Sequence, residues 1–360
     1  MDDFYQGMVP AAVPYFMLER HFSYLGASGL ALAATLGSAL PQLGIGIVAD
    51  RYRAAWLAPF GLSLAGVGAG LSGLATTYPV IFGMLLFSGI GVAMFHPPAG
   101  RDARLAAGGS ATGMSYFAAG GTIGFFAAPA LATPALDGLG LRAMVLFLPP
   151  AVMMGFVLLR RSRRVARQVS AVSTRRTSND RVVLFIILIC VEVVRSAISS
   201  GVSTFVTLYW IRYLGAGNVL GGLALAIELA GAVLGTLLGG LIGDRYGMVC
   251  AVRLGNTALP LAMIALLCCE DKYAALPLIA LVGMAINIPF AVLVKLGQDY
   301  LPSRPGTATG VTLGLAVSAG GLFLPLLGLF ADHYGPRGAL VALSALPVVA
   351  VVVSLGLREP

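Results

Sequence analysis

Twelve long apolar stretches constrain the fold of this 360-residue chain more than any other feature. About twenty apolar residues in a helix are needed to cross a bilayer core about 30 Å thick. Only 11% of the residues are charged, against about 25% in soluble domains, and a soluble fold cannot bury so much apolar surface. Each stretch is therefore predicted to be a transmembrane helix. The twelve are Phe4–Leu18, Leu25–Val48, Ala54–Leu74, Val80–Phe95, Gly108–Ala132, Ala143–Leu159, Val182–Ile211, Val219–Ile242, Met248–Cys269, Tyr273–Leu296, Gly306–Ala331 and Gly338–Leu357.

Lys and Arg residues are concentrated in alternate loops, and this asymmetry predicts the orientation in the membrane. The loops that carry Arg51, Arg101 and the Arg160–Arg181 stretch hold far more basic residues than the opposite set, which includes Arg142 and Lys272. Basic loops remain on the cytoplasmic side, so both termini are expected in the cytoplasm of a cell-membrane protein. The formal net charge of +8 is interpreted as this topology signal rather than as a nucleic-acid site.

The basic stretch at residues 160–181 divides the chain into two sets of six spans. We expect an N-terminal six-helix bundle at 1–159, a cytoplasmic linker at 160–181 and a C-terminal six-helix bundle at 182–360. Eight arginines in the linker favour a solvated tether near anionic lipid headgroups. A site for nucleic acid or for a partner protein is the alternative, and the residues leave it open.

The two halves contain matching motifs in equivalent cytoplasmic loops. Gly46-Ile-Val-Ala-Asp50-Arg51-Tyr52 recurs as Gly240-Leu-Ile-Gly-Asp244-Arg245-Tyr246, and Gly109-Ser-Ala-Thr-Gly113 recurs as Gly306-Thr-Ala-Thr-Gly310. Two matches at nearly one offset indicate an internal repeat of six spans. Because six is an even number, both halves have the same orientation, which predicts two pseudo-symmetric six-helix bundles of a transporter.

The Asp50 and Asp244 loops resemble the G-x-x-x-D-R/K-x-G-R/K signature of the major facilitator superfamily. Within it, the chain resembles the fosmidomycin-resistance group of efflux proteins. That resemblance rests on Asp3-Phe-Tyr-Gln-Gly7, Phe95-His96-Pro97 with Arg101 and Arg104, Gly120-Gly121-x-x-Gly124, Arg195-Ser196, Gln298-x-x-Leu301-Pro302-x-Arg304 and Gly328-Leu-Phe-Ala-Asp332-His333. It implies the major facilitator fold and proton-driven export of a small molecule. The chain departs from the signature at Arg53-Ala54-Ala55 and Met248-Val249, and from the antiporter Gly-Pro pair at Ala128-Pro129.

The repeated loops are candidates for a gate. A carboxylate at Asp50 or Asp244 can cap a helix N-terminus and pair with an arginine, and so hold the cytoplasmic side shut. The glycine four residues earlier would allow close helix packing. Charges that only fix the topology are the alternative. The predicted gating residues are Gly46, Asp50, Arg51, Gly240, Asp244 and Arg245.

Ionisable residues inside predicted spans are candidates for substrate and proton binding, because a charge in hydrocarbon costs about 2.5–3.5 kcal/mol on insertion scales. They are Asp2, Asp3, Glu192, Arg195 and Glu228. Glu192 and Arg195 share a helix face, so a purely structural ion pair is the alternative for these two. Arg195 and Glu228 lie at nearly one predicted depth, about 20 Å from the cytoplasmic ends of their helices, and are predicted to pair.

Five further residues are weaker candidates. His96 precedes two prolines where the fourth span is predicted to end, so it is expected either to titrate or to bond helix-end carbonyls. Asn287, two residues before Pro289, is expected to line a cavity or to pack. Arg101, Gln298 and Arg304 belong to the motifs of the resemblance.

Several function classes are disfavoured by the sequence. No G-x-x-x-x-G-K-[ST] loop is present, which argues against an ATP-driven pump, and the histidines and cysteines lack zinc-ligand spacing. No cofactor is expected; the expected partners are a small-molecule substrate, protons and the lipid bilayer, with a monomeric chain. A proton-coupled importer, or a non-transporting receptor on the same fold, stays open.

The first apolar stretch is short for a full crossing, with about fifteen residues before Glu19. The resemblance places the motif matching Asp3-Phe-Tyr-Gln near the middle of that helix. We therefore expect about ten more residues upstream of Met1, supplied by an earlier start codon.

Overall fold

The computed structural model describes residues 1–52, 54–169 and 179–360, and the regular elements in these ranges are all helical. Arg53 and residues 170–178 of the predicted linker lie outside the described residues. The helices are α1 (Asp2–Arg20), α2 (Tyr24–Tyr52), α3 (Leu57–Ser72), α4 (Tyr78–Ala106), α5 (Ala111–Leu139), α6 (Leu148–Val169), α7 (Val182–Leu208), α8 (Asn218–Tyr246), α9 (Met248–Cys268), α10 (Ala275–Tyr300), α11 (Pro305–Thr309), α12 (Ala316–Gly321), α13 (Leu324–Leu343) and α14 (Leu346–Ser354). A 3-10 helix at Gly140–Phe147 and π-helical segments at Tyr209–Tyr213 and Gly310–Leu315 connect them.

Each predicted span contains a helix, which confirms the all-helical transmembrane fold. Eight continuous helical runs in the described residues are long and apolar enough to cross a membrane, and α3 is a shorter apolar helix. Two of the runs contain a break between consecutive crossings, at Gly140 with φ 63° and at Gly335 with φ 70°. Glycine has no Cβ, so it adopts this left-handed backbone readily, and the regular helix is interrupted there.

The chain folds into two compact units. The first contains Met1–Asp102, Gly120–Asn179 and Ser303–Leu315, and the second contains Ala103–Ala119, Asp180–Pro302 and Ala316–Pro360. The amino-terminal part of α5 thus belongs to the second unit, and α11 with the following π-helical segment belongs to the first. The predicted boundary at 160–181 stays a prediction.

Each unit has its own apolar core. In the first unit, α3 packs on α6, and the buried side chains include Tyr5, Phe16, Leu62 and Ile81. In the second unit, α10 packs on α8 and α9, and Tyr209 and Trp210 are among its largest buried side chains. Many large apolar side chains remain exposed along the helices, as expected of surfaces that face lipid.

Small residues set the closest helix contact of the second unit. Gly231, Gly235 and Gly239 recur every four residues on α8, and a Cβ at any of them would overlap backbone atoms of α10. Such spacing lets two helix backbones approach directly. Gly283 of α10 likewise lies against the backbone of Glu228, which explains how this acidic residue becomes enclosed between the two helices.

Candidate functional site

Asp50, at the carboxyl end of α2, caps the amino terminus of α11. Its Oδ1 accepts a hydrogen bond from the Gly306 amide at 2.7 Å, and its Oδ2 accepts bonds from the Thr307 amide and hydroxyl, each at 2.7 Å. The first amides of a helix have no partner within the helix and carry partial positive charge. A carboxylate therefore satisfies both the hydrogen bonds and the charge.

Asp244, at the carboxyl end of α8, forms the equivalent cap at the amino terminus of α5. It accepts hydrogen bonds from the Ala111 amide at 2.6 Å, the Thr112 amide at 3.0 Å and the Ser110 hydroxyl at 2.6 Å. The sequence repeat thus has a structural counterpart, because each motif aspartate receives two backbone amides and one hydroxyl. Asp244 is exposed, whereas Asp50 is half-buried.

The glycines of the two motifs make the same kind of contact. A Cβ on Gly46 would lie 2.9 Å from both the Gly306 carbonyl oxygen and the Thr307 Cα, and a Cβ on Gly240 would lie 2.9 Å from the Ala111 carbonyl oxygen. All three distances are shorter than a normal Cβ contact. The helix that supplies each aspartate therefore touches the helix that the aspartate caps.

The motif arginines do not complete the predicted ion pairs. Arg51 lies over the Tyr52 ring at 5.5 Å, and Arg245 lies over the Tyr246 ring at 5.2 Å. Within the described ranges, neither Asp50 nor Asp244 forms an ion pair. The capping half of the predicted role is thus present, while pairing with these arginines is not, because the helix amides occupy the carboxylates.

Arg195 forms a buried ion pair with Glu192 on the same face of α7. The guanidinium donates Nη2–H to Glu192 Oε1 at 2.5 Å and Nε–H to Oε2 at 2.8 Å. It also lies over the Phe290 ring, 4.6 Å from the centroid. The predicted pairing of Arg195 with Glu228 is therefore wrong in this structure, because Arg195 pairs instead with Glu192, one turn away on the same helix.

Glu228 is almost fully buried, with 1% of its surface exposed. Ser203 of α7 donates its hydroxyl to Glu228 Oε2 at 3.3 Å. Across the described residues, no cationic side chain forms an ion pair with Glu228. The carboxyl group is thus enclosed between helices with one weak donor, which is unfavourable for an ionised group.

Asp2, Asp3 and His96 form a third polar cluster, in the first unit. The His96 ring lies 3.1 Å from Asp3 Oδ1 through Nε2, 3.5 Å from Asp2 Oδ2 through Nδ1 and 3.0 Å from the Val92 carbonyl oxygen through Nδ1. His96 does not end its helix as predicted, because α4 continues through Pro97 and Pro98 to Ala106. Sequence spacing could not reveal the cluster, since the histidine lies far along the chain from both aspartates.

The remaining candidates occupy separate places in the two units. Arg101 donates to the Ala49 carbonyl at 2.8 Å and to Asp102, which fixes the α4 end beside the Asp50 motif. Asn287 is buried and donates to the Gly283 carbonyl of its own helix at 3.0 Å, a packing contact. Gln298 is fully buried in α10, and Arg304 directly precedes α11.

One charged cluster was not predicted from the sequence. Asp299 of α10 pairs with Arg104 at 2.6 Å and with Lys295 at 2.6 Å, and the Arg104 guanidinium also donates to the Gln298 carbonyl. The i, i+4 spacing of Lys295 and Asp299 was a usable signal for one of these contacts. The contact with Arg104 joins residues distant in sequence, so no local pattern indicates it.

Known proteins match the chain over most of its length. The chain is 27% identical over 346 residues to the Fosmidomycin resistance protein of Escherichia coli (strain K12), and the match covers 92% of this chain and 84% of that protein. It is 24% identical over 367 aligned residues to the uncharacterized MFS-type transporter YfnC of Bacillus subtilis (strain 168), covering 99% and 90% of the two chains.

Solved structures share the fold. The transporter FucP in its outward conformation matches with a TM-score of 0.74 at 12% identity, covering 100% of this chain and 97% of that one. A bacterial homologue of the iron transporter ferroportin in an outward-facing state matches with a TM-score of 0.71 at 15% identity, covering 98% and 96%. The family model of the Major Facilitator Superfamily matches residues 2–323, which confirms the resemblance seen in the motifs. The chain is therefore a member of the major facilitator superfamily.

Proposed function

We propose that this membrane transporter exports a small molecule in exchange for protons, by alternating access. The family and the fold indicate transport rather than enzymatic chemistry. Proton coupling is supported chiefly by one observation, the enclosed carboxyl group of Glu228. The substrate class and the direction of transport rest on further arguments.

Glu228 has the surroundings expected of a proton-binding group. Its carboxyl group is buried, and Ser203 is its hydrogen-bond donor at 3.3 Å. An ionised carboxylate enclosed in this way would be unfavourable, and a bound proton removes the charge. Transport that opens the site to water on one side would then release the proton there, so that each cycle carries it across.

Arg195 is the candidate group for an anionic part of the substrate. Glu192 neutralises it here through two hydrogen bonds, and the Phe290 ring covers the guanidinium. A carboxylate or phosphonate can offer the same two acceptors to an arginine. Protonation of Glu192 would free those donors, so proton binding and anion binding are linked at this pair. Asp3 and Asn287 stay candidates for the coupling site.

The two aspartate caps are proposed to act as latches. Asp50 accepts hydrogen bonds from the Gly306 and Thr307 amides, and Asp244 accepts them from the Ala111 and Thr112 amides. In both cases the aspartate and the amides are far apart in the sequence. Each cap joins a helix of one sequence half to a helix start of the other half. Breaking the caps is therefore a step by which the halves could separate during alternating access.

We place the protein in the cell membrane, with both termini and the basic linker in the cytoplasm, on the basis of the charge asymmetry of its loops. It is proposed to work as a monomer with no nucleic-acid partner. Export is the favoured direction because a relative covering most of the chain is named for resistance to fosmidomycin. Import is the alternative, because structural neighbours with the same fold include a fucose:proton symporter.

Everted membrane vesicles provide the test of transport and direction. Vesicles with and without the protein are acidified inside by respiration, and a pH-sensitive dye reports the internal pH. Adding fosmidomycin, or members of a panel of small anionic and amphipathic compounds, should release internal protons only in vesicles that contain the protein. A compound that enters the everted vesicles as protons leave establishes proton-coupled export. Outward movement of that compound together with protons would instead establish import, and no compound-dependent movement would contradict both.

A further inference from the structure

The cluster of Asp2, Asp3 and His96 contains more electron-pair donors than its hydrogen bonds use. Asp2 is 2% exposed, and neither of its carboxylate oxygens has a hydrogen-bond partner. One oxygen of Asp2, one oxygen of Asp3 and one ring nitrogen of His96 all lie within 4.8 Å of one another. Three such donors close together, one of them a buried carboxylate without a hydrogen-bond partner, mark a place for a cation.

The ring of His96 shows where the cation would bind. Nδ1 lies 3.0 Å from the Val92 carbonyl and Nε2 lies 3.1 Å from Asp3 Oδ1, so acceptors face both nitrogens. A neutral imidazole has one N–H. If that hydrogen is donated to Val92, the Nε2 lone pair faces the Asp3 oxygen, and either a proton or a metal cation between the two atoms makes this contact favourable. The Val92 bond orients the ring in the way that outer-shell carbonyls orient metal-binding histidines.

A single proton satisfies only part of this cluster. A proton on Nε2 would join His96 to Asp3 but would leave both buried oxygens of Asp2 without a donor. A divalent ion bound by His96 Nε2 and by both carboxylates gives each of the three side chains a bonding partner. Its two positive charges also offset the negative charges of the two carboxylates.

We propose that Asp2, Asp3 and His96 bind one divalent first-row transition-metal ion. Ligands about 2.1 Å from an ion stand about 3.0–4.2 Å apart in tetrahedral or octahedral geometry. The Nε2–Oδ1 distance of 3.1 Å already fits, and one ligand atom from each of the three residues lies within 4.8 Å of the others. One imidazole with two carboxylates favours Mn²⁺, Fe²⁺, Co²⁺ or Zn²⁺ over Ca²⁺, which takes oxygen ligands only, and over Cu⁺, which prefers sulfur.

The surrounding helices leave room for the Asp3 ligand. A Cβ on Gly121 of α5 would collide with Asp3 Oδ2, and a Cβ on Gly124 would lie 3.9 Å from the Asp3 Cβ. The Asp3 side chain is 21% exposed, against 1% for Asp2, so Asp3 is the side from which an ion can enter. This metal site shares no residue with the proton site proposed at Glu228.

The test uses the full chain, purified in detergent without a histidine tag and treated with a chelator. Titration with Co²⁺ alone, followed by visible absorption, and with Zn²⁺ alone, followed by calorimetry, should show one ion per chain. Asp2→Asn, Asp3→Asn and His96→Gln should each weaken binding at least about tenfold, because changing even a residue that only orients a metal ligand costs about that much. Bound metal should also raise the melting temperature of the wild type but not of His96→Gln.

His333 provides the matched control. Its Nδ1 lies 2.9 Å from the Leu329 carbonyl, the same contact that His96 makes with Val92, but in the described part of the chain no carboxylate pairs with it. His333→Gln should bind metal like the wild type. X-ray absorption of the zinc-loaded wild type should show nitrogen and oxygen ligands without sulfur. This measurement needs no variant, so it tests the site even if the substituted proteins do not fold. No bound ion in the wild type, sulfur ligation, or binding unaffected by His96→Gln would overturn the proposal.

Discussion

The Asp50→Asn substitution tests the cap at α11 directly. In the wild type, one carboxylate oxygen accepts from Gly306 and the other accepts twice from Thr307. Asparagine keeps one acceptor oxygen, loses the negative charge, and turns an NH₂ group toward donors. Loss of a helix cap lowers stability by about 0.5–2 kcal/mol. Because the bonds to Asp50 involve a charged acceptor, we expect a loss in the upper part of this range, about 1–2 kcal/mol. That loss corresponds to an approximately 5- to 30-fold larger population of molecules in which the cap at the start of α11 is open.

Hydrogen exchange of the detergent-purified protein measures this population. In Asp50→Asn, the peptide containing Gly306 and Thr307 should exchange faster by that factor, while the peptide containing Ala111 and Thr112 keeps the wild-type rate. Asp244→Asn should produce the reverse pattern with a smaller effect, because Asp244 is exposed and solvent screens its charge. Both variants should reach the membrane in normal amounts and transport more slowly. Unchanged exchange at Gly306 and Thr307, or full transport despite faster exchange, would refute the latch.

Three further predictions follow from other contacts. Arg195→Ala or Glu192→Ala alone should lower the amount of protein in the membrane more than the double substitution does. The reason is that a buried charge left without its partner costs about 3–5 kcal/mol. Additive losses in an immunoblot of the membrane fraction would contradict the pairing. Gly46→Ala should slow transport, whereas Gly44→Ala should not, because a Cβ fits freely only at Gly44; equal rates in a vesicle assay would exclude the close contact. Backbone amides hold the pKa of Asp271 below its usual value. The bonds to the carboxylate therefore stabilise this loop at pH values above the ordinary aspartate pKa, and that stability is lost as the pH falls through the lowered pKa of Asp271. Amide hydrogen exchange in the loop that does not change with acid would refute this.

The fold was predictable because the thickness of the bilayer core and the rise per residue of an α-helix together fix the length of a membrane-spanning helix. Twelve apolar stretches sufficed to indicate where the apolar helices lie, and the repeated Gly46 and Gly240 motifs correctly indicated close helix contacts. The helix breaks were harder to place. Pro97 and Pro98 suggest the end of a helix, yet α4 continues through them for another turn and more, because neighbouring helices support the interrupted backbone.

The polar contacts were predictable only where they are local. Glu192 and Arg195 are three residues apart, so their pairing followed from helix geometry, whereas the pairing of Arg195 with Glu228 assumed that equal depth means contact. Rotation of each helix about its axis decides that question, and packing sets the rotation. The meeting of Asp3 with His96 depends on the same packing, and no sequence pattern encodes it.

Proton flux in reconstituted vesicles tests proton coupling at Glu228 most directly. Vesicles containing the wild type, Glu228→Gln or Glu270→Gln are compared for uptake driven by a pH gradient and for exchange of labelled substrate without a gradient. Glu270 is an exposed glutamate in the loop between α9 and α10 and serves as the control. Glu228→Gln should keep exchange and lose the response to the gradient, while Glu270→Gln behaves like the wild type. A full gradient response in Glu228→Gln would contradict the account.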